Sequence, residues 1–136
     1  MSNKVKQTQR NNAMEETLVY EKLIGKTVSR VIQEDDDVLI FTFDDGATAK
    51  WHHIQNCCEG VSIDDVNGDW DDIVGSPLLV CEGRSSYGDT DYGDSETWTF
   101  YTYRTSKGSV DVKWYGSSNG YYSEGVDFEY KDEAND

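Results

Sequence analysis

The chain of 136 residues has no long apolar run, one proline, two histidines, three cysteines and few cations. Each shortage excludes something. No stretch approaches the roughly 18 apolar residues of a membrane-spanning helix, so a helical membrane protein is not expected. Lys and Arg number 12 against 27 Asp and Glu, a net charge of −15. Sequence-independent nucleic-acid binding and adhesion to an anionic membrane both need clustered cations, so neither is expected. Residues 1–12 are polar and basic with no apolar segment behind them, which does not read as a secretory signal. Cys57, Cys58 and Cys81 are an odd number, which fits reduced thiols in a cytosol-like compartment. Adjacent cysteines such as Cys57 and Cys58 rarely bridge each other.

Aromatic residues, by contrast, make up 12% of the chain, with nine Tyr, four Trp and four Phe. Disordered acidic chains are poor in these, so an ordered core is expected. The charge is unevenly placed. Residues 1–30 hold six basic and three acidic groups, leaving six basic and 24 acidic in 31–136, about −18 there. We read 1–13 as a mobile basic tail, 14–130 as one domain and 131–136 as a frayed acidic tail.

The pattern predicts an α+β fold that is mainly antiparallel sheet. A helix is expected over 14–23, stopped at Gly25, and a second short helix over 69–74, stopped at Gly75. Strands are expected over 27–33, 38–43, 47–51, 60–66 and 77–81, with Asp44-Asp45-Gly46 turning a hairpin. The polar, glycine-bearing stretch 83–95 reads as an exposed loop. Strands over 97–104, 109–115 and 121–130 read as a three-strand meander.

Both histidines and two cysteines fall within seven residues, as Trp51-His52-His53-Ile54-Gln55-Asn56-Cys57-Cys58-Glu59. His52, His53, Cys57 and Cys58 are weak candidates for zinc, because imidazole and thiolate are its usual donors. The spacing fits no ordinary structural zinc site, so no cofactor is expected. A Cys–His nucleophile is disfavoured by Glu59, Asp64 and Asp65, which would raise a thiol pKa, and no catalytic residue is assigned. Asp65, Asn67, Asp69 and Asp71 imitate the start of a calcium loop. Trp70 stands where that loop needs Gly and Ser76 where it needs Glu, so a solvated acidic turn is the better reading. A ligand pocket is conceivable from His53, Gln55, Cys57, Cys58 and Glu59 together with Trp114, Asn119, Tyr121, Tyr122 and Glu124. The acids Asp35, Asp36, Asp37, Asp64, Asp65, Asp69, Asp71, Asp72, Asp89, Asp91 and Asp94 could together imitate DNA phosphates toward a basic groove.

Two segments carry a resemblance. One is His53, Gln55, Cys57, Cys58, Glu59, Val61, Ile63, Asp65, Gly68 and Asp69, continued by Asp72, Gly75 and Pro77. The other is Trp98 to Tyr101, Lys107, Gly108, Val110 and Trp114 to Phe128. Together they resemble a family of small uncharacterised proteins of bacteriophages and prophages. The resemblance supplies no reaction and no site residues. It implies a phage setting in the cytoplasm of a bacterial host.

These readings combine into one expectation. The chain is a non-enzymatic inhibitor of a host defence or nucleic-acid-handling protein, a restriction or CRISPR effector for example, bound through the acidic surface. The alternative is a binder that sequesters a nucleotide-type signal, with Arg84, Arg104, Lys107 and Lys113 as the candidates for its phosphates. A metal-dependent hydrolase using His52, His53, Cys57 and Glu59 is third. A homodimer is compatible with all three.

Overall fold

Period-two burial sets the architecture. In β2 (Val38–Phe43), Leu39, Phe41 and Phe43 are buried and their neighbours half-buried. In β7 (Ser109–Ser118), Val110, Val112 and Trp114 are buried in the same rhythm. Such strands must lay one face on a partner layer. A computed structural model of the chain describes residues 20–89, 93–120 and 122–132. The other strands are β1 (Val28–Glu34), β3 (Thr48–His52), β4 (Gly60–Asn67), β5 (Val80–Asp89), β6 (Ser95–Arg104) and β8 (Asp127–Lys131). They form two four-stranded sheets, ordered β1-β2-β3-β8 and β4-β7-β6-β5. All pairings within them are antiparallel. No helix among the described residues is long and apolar enough to cross a membrane.

The core is an aromatic contact between the sheets. Phe41 meets Tyr103 at 4.8 Å between ring centroids, and Trp51 meets Tyr103 at 5.2 Å. Most of these pairs are edge-on or tilted, as ring quadrupoles favour. Tyr20, from outside the strands, closes one side against Trp51 and Phe128.

The class is therefore mainly β rather than α+β: eight strands dominate the described residues, in which helix is limited to residues 20–21 and one 3₁₀ turn. Residues 14–19 lie outside the described part. Tyr20 and Glu21 are helical and residues 22–25 turn out of them, with Leu23 N–H donating to the Tyr20 carbonyl at 2.9 Å and Ile24 N–H to that of Glu21 at 3.1 Å. The second helix is a 3₁₀ turn, Trp70–Asp72, capped by Asp69. Gly68 and Gly75 leave too few residues between them to offset the cost of an α-helical nucleus.

Three strand readings also change. Residues 83–89 are not a loop but the far half of β5, paired with β6 from Gly83–Tyr101 to Asp89–Ser95. Their polarity marks an edge strand with few buried positions. Pro77 lies before β5 and bridges to Thr27. The C-terminal meander is β5-β6-β7, whereas the chain after Ser118 leaves that sheet and β8 pairs with β3. The reason is apolar. Phe128 sits opposite Trp51 in that register and packs on it at 5.0 Å. Lys131, expected in the acidic tail, is the last residue of β8.

The inter-sheet contact makes a direct prediction. Trp51→Ala should destabilise the fold by about 3–5 kcal/mol, the usual cost of emptying a large aromatic site. The midpoint of urea unfolding, followed by tryptophan fluorescence, measures it.

Candidate functional site

Two segments cross between the sheets: residues 53–59 lead from β3 to β4, and 119–126 lead from β7 to β8. The first crossing closes around a carboxylate. Glu59, 3% exposed, accepts from the backbone N–H groups of Asn56 and Cys57 at 2.9 Å each. His53 Nε2 donates to its Oε2 at 2.8 Å. The other ring nitrogen, Nδ1, donates to the Gly125 carbonyl at 2.7 Å, in the second crossing. Both ring nitrogens thus face acceptors, one in each crossing. Asp127 adds a further tie by accepting from Ile54 N–H at 2.7 Å. Burial pushes the Glu59 carboxyl up, but His53 and the two N–H donors prevail and hold it at about 2.

A second buried carboxylate anchors the other crossing. Glu124, 8% exposed, accepts from Thr97 Oγ1 at 2.8 Å and from the hydroxyls of Ser95 and Ser118. Burial again raises its carboxyl, and the Ser118, Ser95 and Thr97 hydroxyls outweigh that, leaving it below the ordinary carboxylate range. The crossing lies flat on β7 because position 116 is glycine. A Cβ there would stand 2.6 Å from the Glu124 carbonyl oxygen.

Asp69 and Asp72, from the first resembling segment, form a third clamp. Asp69 accepts from Asp71 N–H at 2.9 Å and caps the 3₁₀ turn. Asp72 lies against Gly108, where a Cβ would meet its Oδ2 at 2.7 Å. Its carbonyl accepts from the Thr105 hydroxyl, and Lys107 donates to the Asp71 carbonyl at 2.8 Å. The turn is thereby fixed to the β6–β7 hairpin.

The expected ligand pocket is thus only partly assembled. His53 and Gln55 close on Glu59, and a hollow of about 450 Å³ joins Cys58 to Ser117, Ser118, Asn119 and Tyr122. Trp114 does not reach it, being 1% exposed in the core. Its position in β7 alternates with Val112 and Val110, which commits it to the inner face. Tyr121 lies outside the described residues. Cys57 and Cys58 are not free thiols in this structure. The tight turn over Glu59 brings their sulfurs together in a vicinal disulfide, while Cys81 stays reduced and buried. Sulfurs bonded to each other and a His53 whose nitrogens are both engaged offer no zinc site as they stand. No cluster of three or more potential metal ligands occurs among the described residues.

The acids separate into groups. Asp35, Asp36 and Asp37 form the exposed β1–β2 turn. The Asp36 carbonyl accepts from Ile63 N–H, which sets this turn beside Asp64 and Asp65 on β4. Asp64 pairs with Lys113 at 3.2 Å. Asp69, Asp71 and Asp72 lie at one end of the second sheet, where Asp69 and Asp72 hold the 3₁₀ turn. Asp89 and Asp94 lie at its other end, about 30 Å away along ten-residue β6. Asp91 is outside the described residues. Sequence reasoning missed Ser95, Thr97, Thr99, Ser118 and Gly125. The available signal was two threonines in the inward register of Tyr101 and Tyr103.

Residues 21–128 match a family described as a domain of unknown function, DUF7448. No curated protein and no solved structure matches the chain.

The clamp predicts a pH dependence. The folded pKa of Glu59 is depressed from the ordinary 4.5 to about 2, so its contribution is present above 4.5 and is lost as pH falls toward 2. Glu124, shifted the same way, adds to the loss. Glu59→Gln should lower the urea midpoint at pH 7 and flatten its fall between about pH 4.5 and 2, measured as a midpoint series.

Proposed function

The chain belongs to the DUF7448 family, and we propose that it is a non-enzymatic binding protein whose acidic surface engages a basic, nucleic-acid-handling partner. The observation that carries this reading is uncompensated charge. Among the described residues, Lys26 with Asp45 and Lys113 with Asp64 are the two ion pairs made by lysine or arginine. The Asp35–Asp37 turn and Asp65 are exposed, and a backbone hydrogen bond holds them together. Like charges so gathered oppose compaction, and a cationic partner relieves that repulsion. The motif residues support a binding role in a negative sense. His53, Glu59, Asp69 and Asp72 hold the fold, which turns the argument to the acids that do not. The resemblance to phage and prophage proteins supplies the setting: an accessory protein that blocks a restriction or CRISPR effector in the host cytoplasm by filling its DNA groove.

A second reading, sequestration of a nucleotide-type signal, draws on the contact of the two crossings at His53 and Gly125. The cations tell against it. Arg84 lies over the Phe100 ring at 5.2 Å, and Lys107 and Lys113 are engaged by Asp71 and Asp64. None of these, nor Arg104, lines the larger clefts.

The acidic-surface reading makes two linked predictions. A purified host effector that binds the protein should lose roughly tenfold or more in affinity between about 50 and 500 mM salt, and duplex DNA should compete with the protein for it. Replacing Asp35, Asp36 and Asp37 together by Asn should weaken binding and lessen the salt dependence, by surface plasmon resonance. Binding that ignores both salt and these substitutions would overturn the reading.

A further inference from the structure

A cleft of about 630 Å³ opens between the far half of the β5–β6 hairpin and residues 122–126. Register explains why it is there. The inward residues of β6 run Tyr103, Tyr101, Thr99, Thr97. The first two pack into the aromatic core, and the last two line the cleft. Opposite them β5 supplies Ser85 and Tyr87, the latter 65% exposed. An inward face that turns from aromatic to hydroxyl-bearing is built for water or a polar ligand, not for packing.

The charge of the cleft has one sign. Glu124 lies in its floor, more than nine-tenths buried, and its partners Ser95, Thr97 and Ser118 are neutral hydroxyls. Asp89 stands at the rim, and no Lys, Arg or His lines the cleft among the described residues. A buried carboxylate held by neutral donors keeps its full charge and attracts a cation. The Ser95 and Thr97 hydroxyls, having donated to Glu124, still accept from an incoming N–H. Tyr87 adds an exposed aromatic ring to the lining. Anionic floor, accepting walls and an aromatic edge suit a guanidinium better than an ammonium, because guanidinium is planar, stacks on rings and donates in several directions.

We propose that this cleft receives an arginine side chain presented by the protein's basic partner. The inference rests on the acidic-surface reading for its occupant, and it adds a specific socket to what would otherwise be diffuse attraction.

The test uses the whole chain, ¹⁵N-labelled, titrated with acetyl-glycyl-arginyl-glycinamide and with its citrulline counterpart, which has the same shape without the charge. The arginine peptide should shift the amides of Ser85, Thr97, Thr99 and Glu124, and bind roughly tenfold more tightly than the citrulline peptide. Glu124→Gln should remove that preference. Should that variant not fold, Tyr87→Ala and Thr99→Val, which leave the clamp intact, should each weaken arginine binding several-fold. Equal affinity for the two peptides, shifts confined to Asp35–Asp37 and Asp64–Asp65, or unchanged binding by Tyr87→Ala and Thr99→Val would each overturn the socket. If the Asp35, Asp36 and Asp37 substitutions still weakened the partner complex in that event, the acidic-surface reading would stand without it.

Discussion

The buried pair of His53 and Glu59 is the constraint on which the rest depends. Two sheets that exchange strands must cross twice, and a crossing segment has backbone polar groups without a ladder to satisfy them. Here one carboxylate takes the N–H groups of Asn56 and Cys57 in the first crossing. The imidazole it binds reaches the Gly125 carbonyl in the second. One hydrogen-bonded chain therefore fixes both transfers at once. Removing either partner of this buried pair strands the other, so the pair enforces a single arrangement. The aromatic contact of Phe41 and Trp51 with Tyr103 supplies the attraction between the sheets, and the clamp supplies the alignment.

The same logic explains why the residues that look most chemical are the least available for chemistry. Histidine, glutamate, asparagine and cysteine within a few residues suggest a ligand set or a catalytic pair. In the fold His53 and Glu59 satisfy one another, Cys57 and Cys58 join each other, and Asp69 and Asp72 hold a 3₁₀ turn against the β6–β7 hairpin. The glycines of the motifs read similarly. Gly108 and Gly116 are positions where another segment lies too close for a side chain. The surfaces left outward are the acidic turn at Asp35–Asp37, its neighbours on β4, and the hydroxyl-lined cleft floored by Glu124. The proposed binding draws on those surfaces, because they are the ones the fold leaves open.

Much of this was legible one strand at a time. The Asp-Gly turn and the flanking alternation specify the β2–β3 hairpin, and the alternation of Val110, Val112 and Trp114 specifies β7. Legibility failed where polarity and burial part company. Residues 83–89 are as polar as a loop, yet they form an edge strand, since a ladder on one side requires only backbone. The 121–130 stretch reads as a third meander strand, yet its neighbour is decided by Trp51 and Tyr20, far away in sequence. The pairing of motif residues was equally hidden. Nothing local to Glu124 announces that Ser95, Thr97 and Ser118 will donate to it.

The sequence by itself determined the local and the additive: mainly antiparallel strands, where the turns fall, and a net charge of −15 concentrated after residue 30. Those come from side-chain period and composition, which need no knowledge of partners. Only the tertiary structure decided which strands share a sheet, that His53 joins Gly125, that Asp36 rests beside Ile63, and that a carboxylate ends up in the floor of a cleft. Burial and hydrogen bonding are properties of pairs, and for His53 with Gly125, Asp36 with Ile63 and Glu124 with Ser95 and Thr97 the second member lies tens of residues away. The charge is thus written in the chain, whereas its division into buried anchors and an exposed acidic surface is written in the packing.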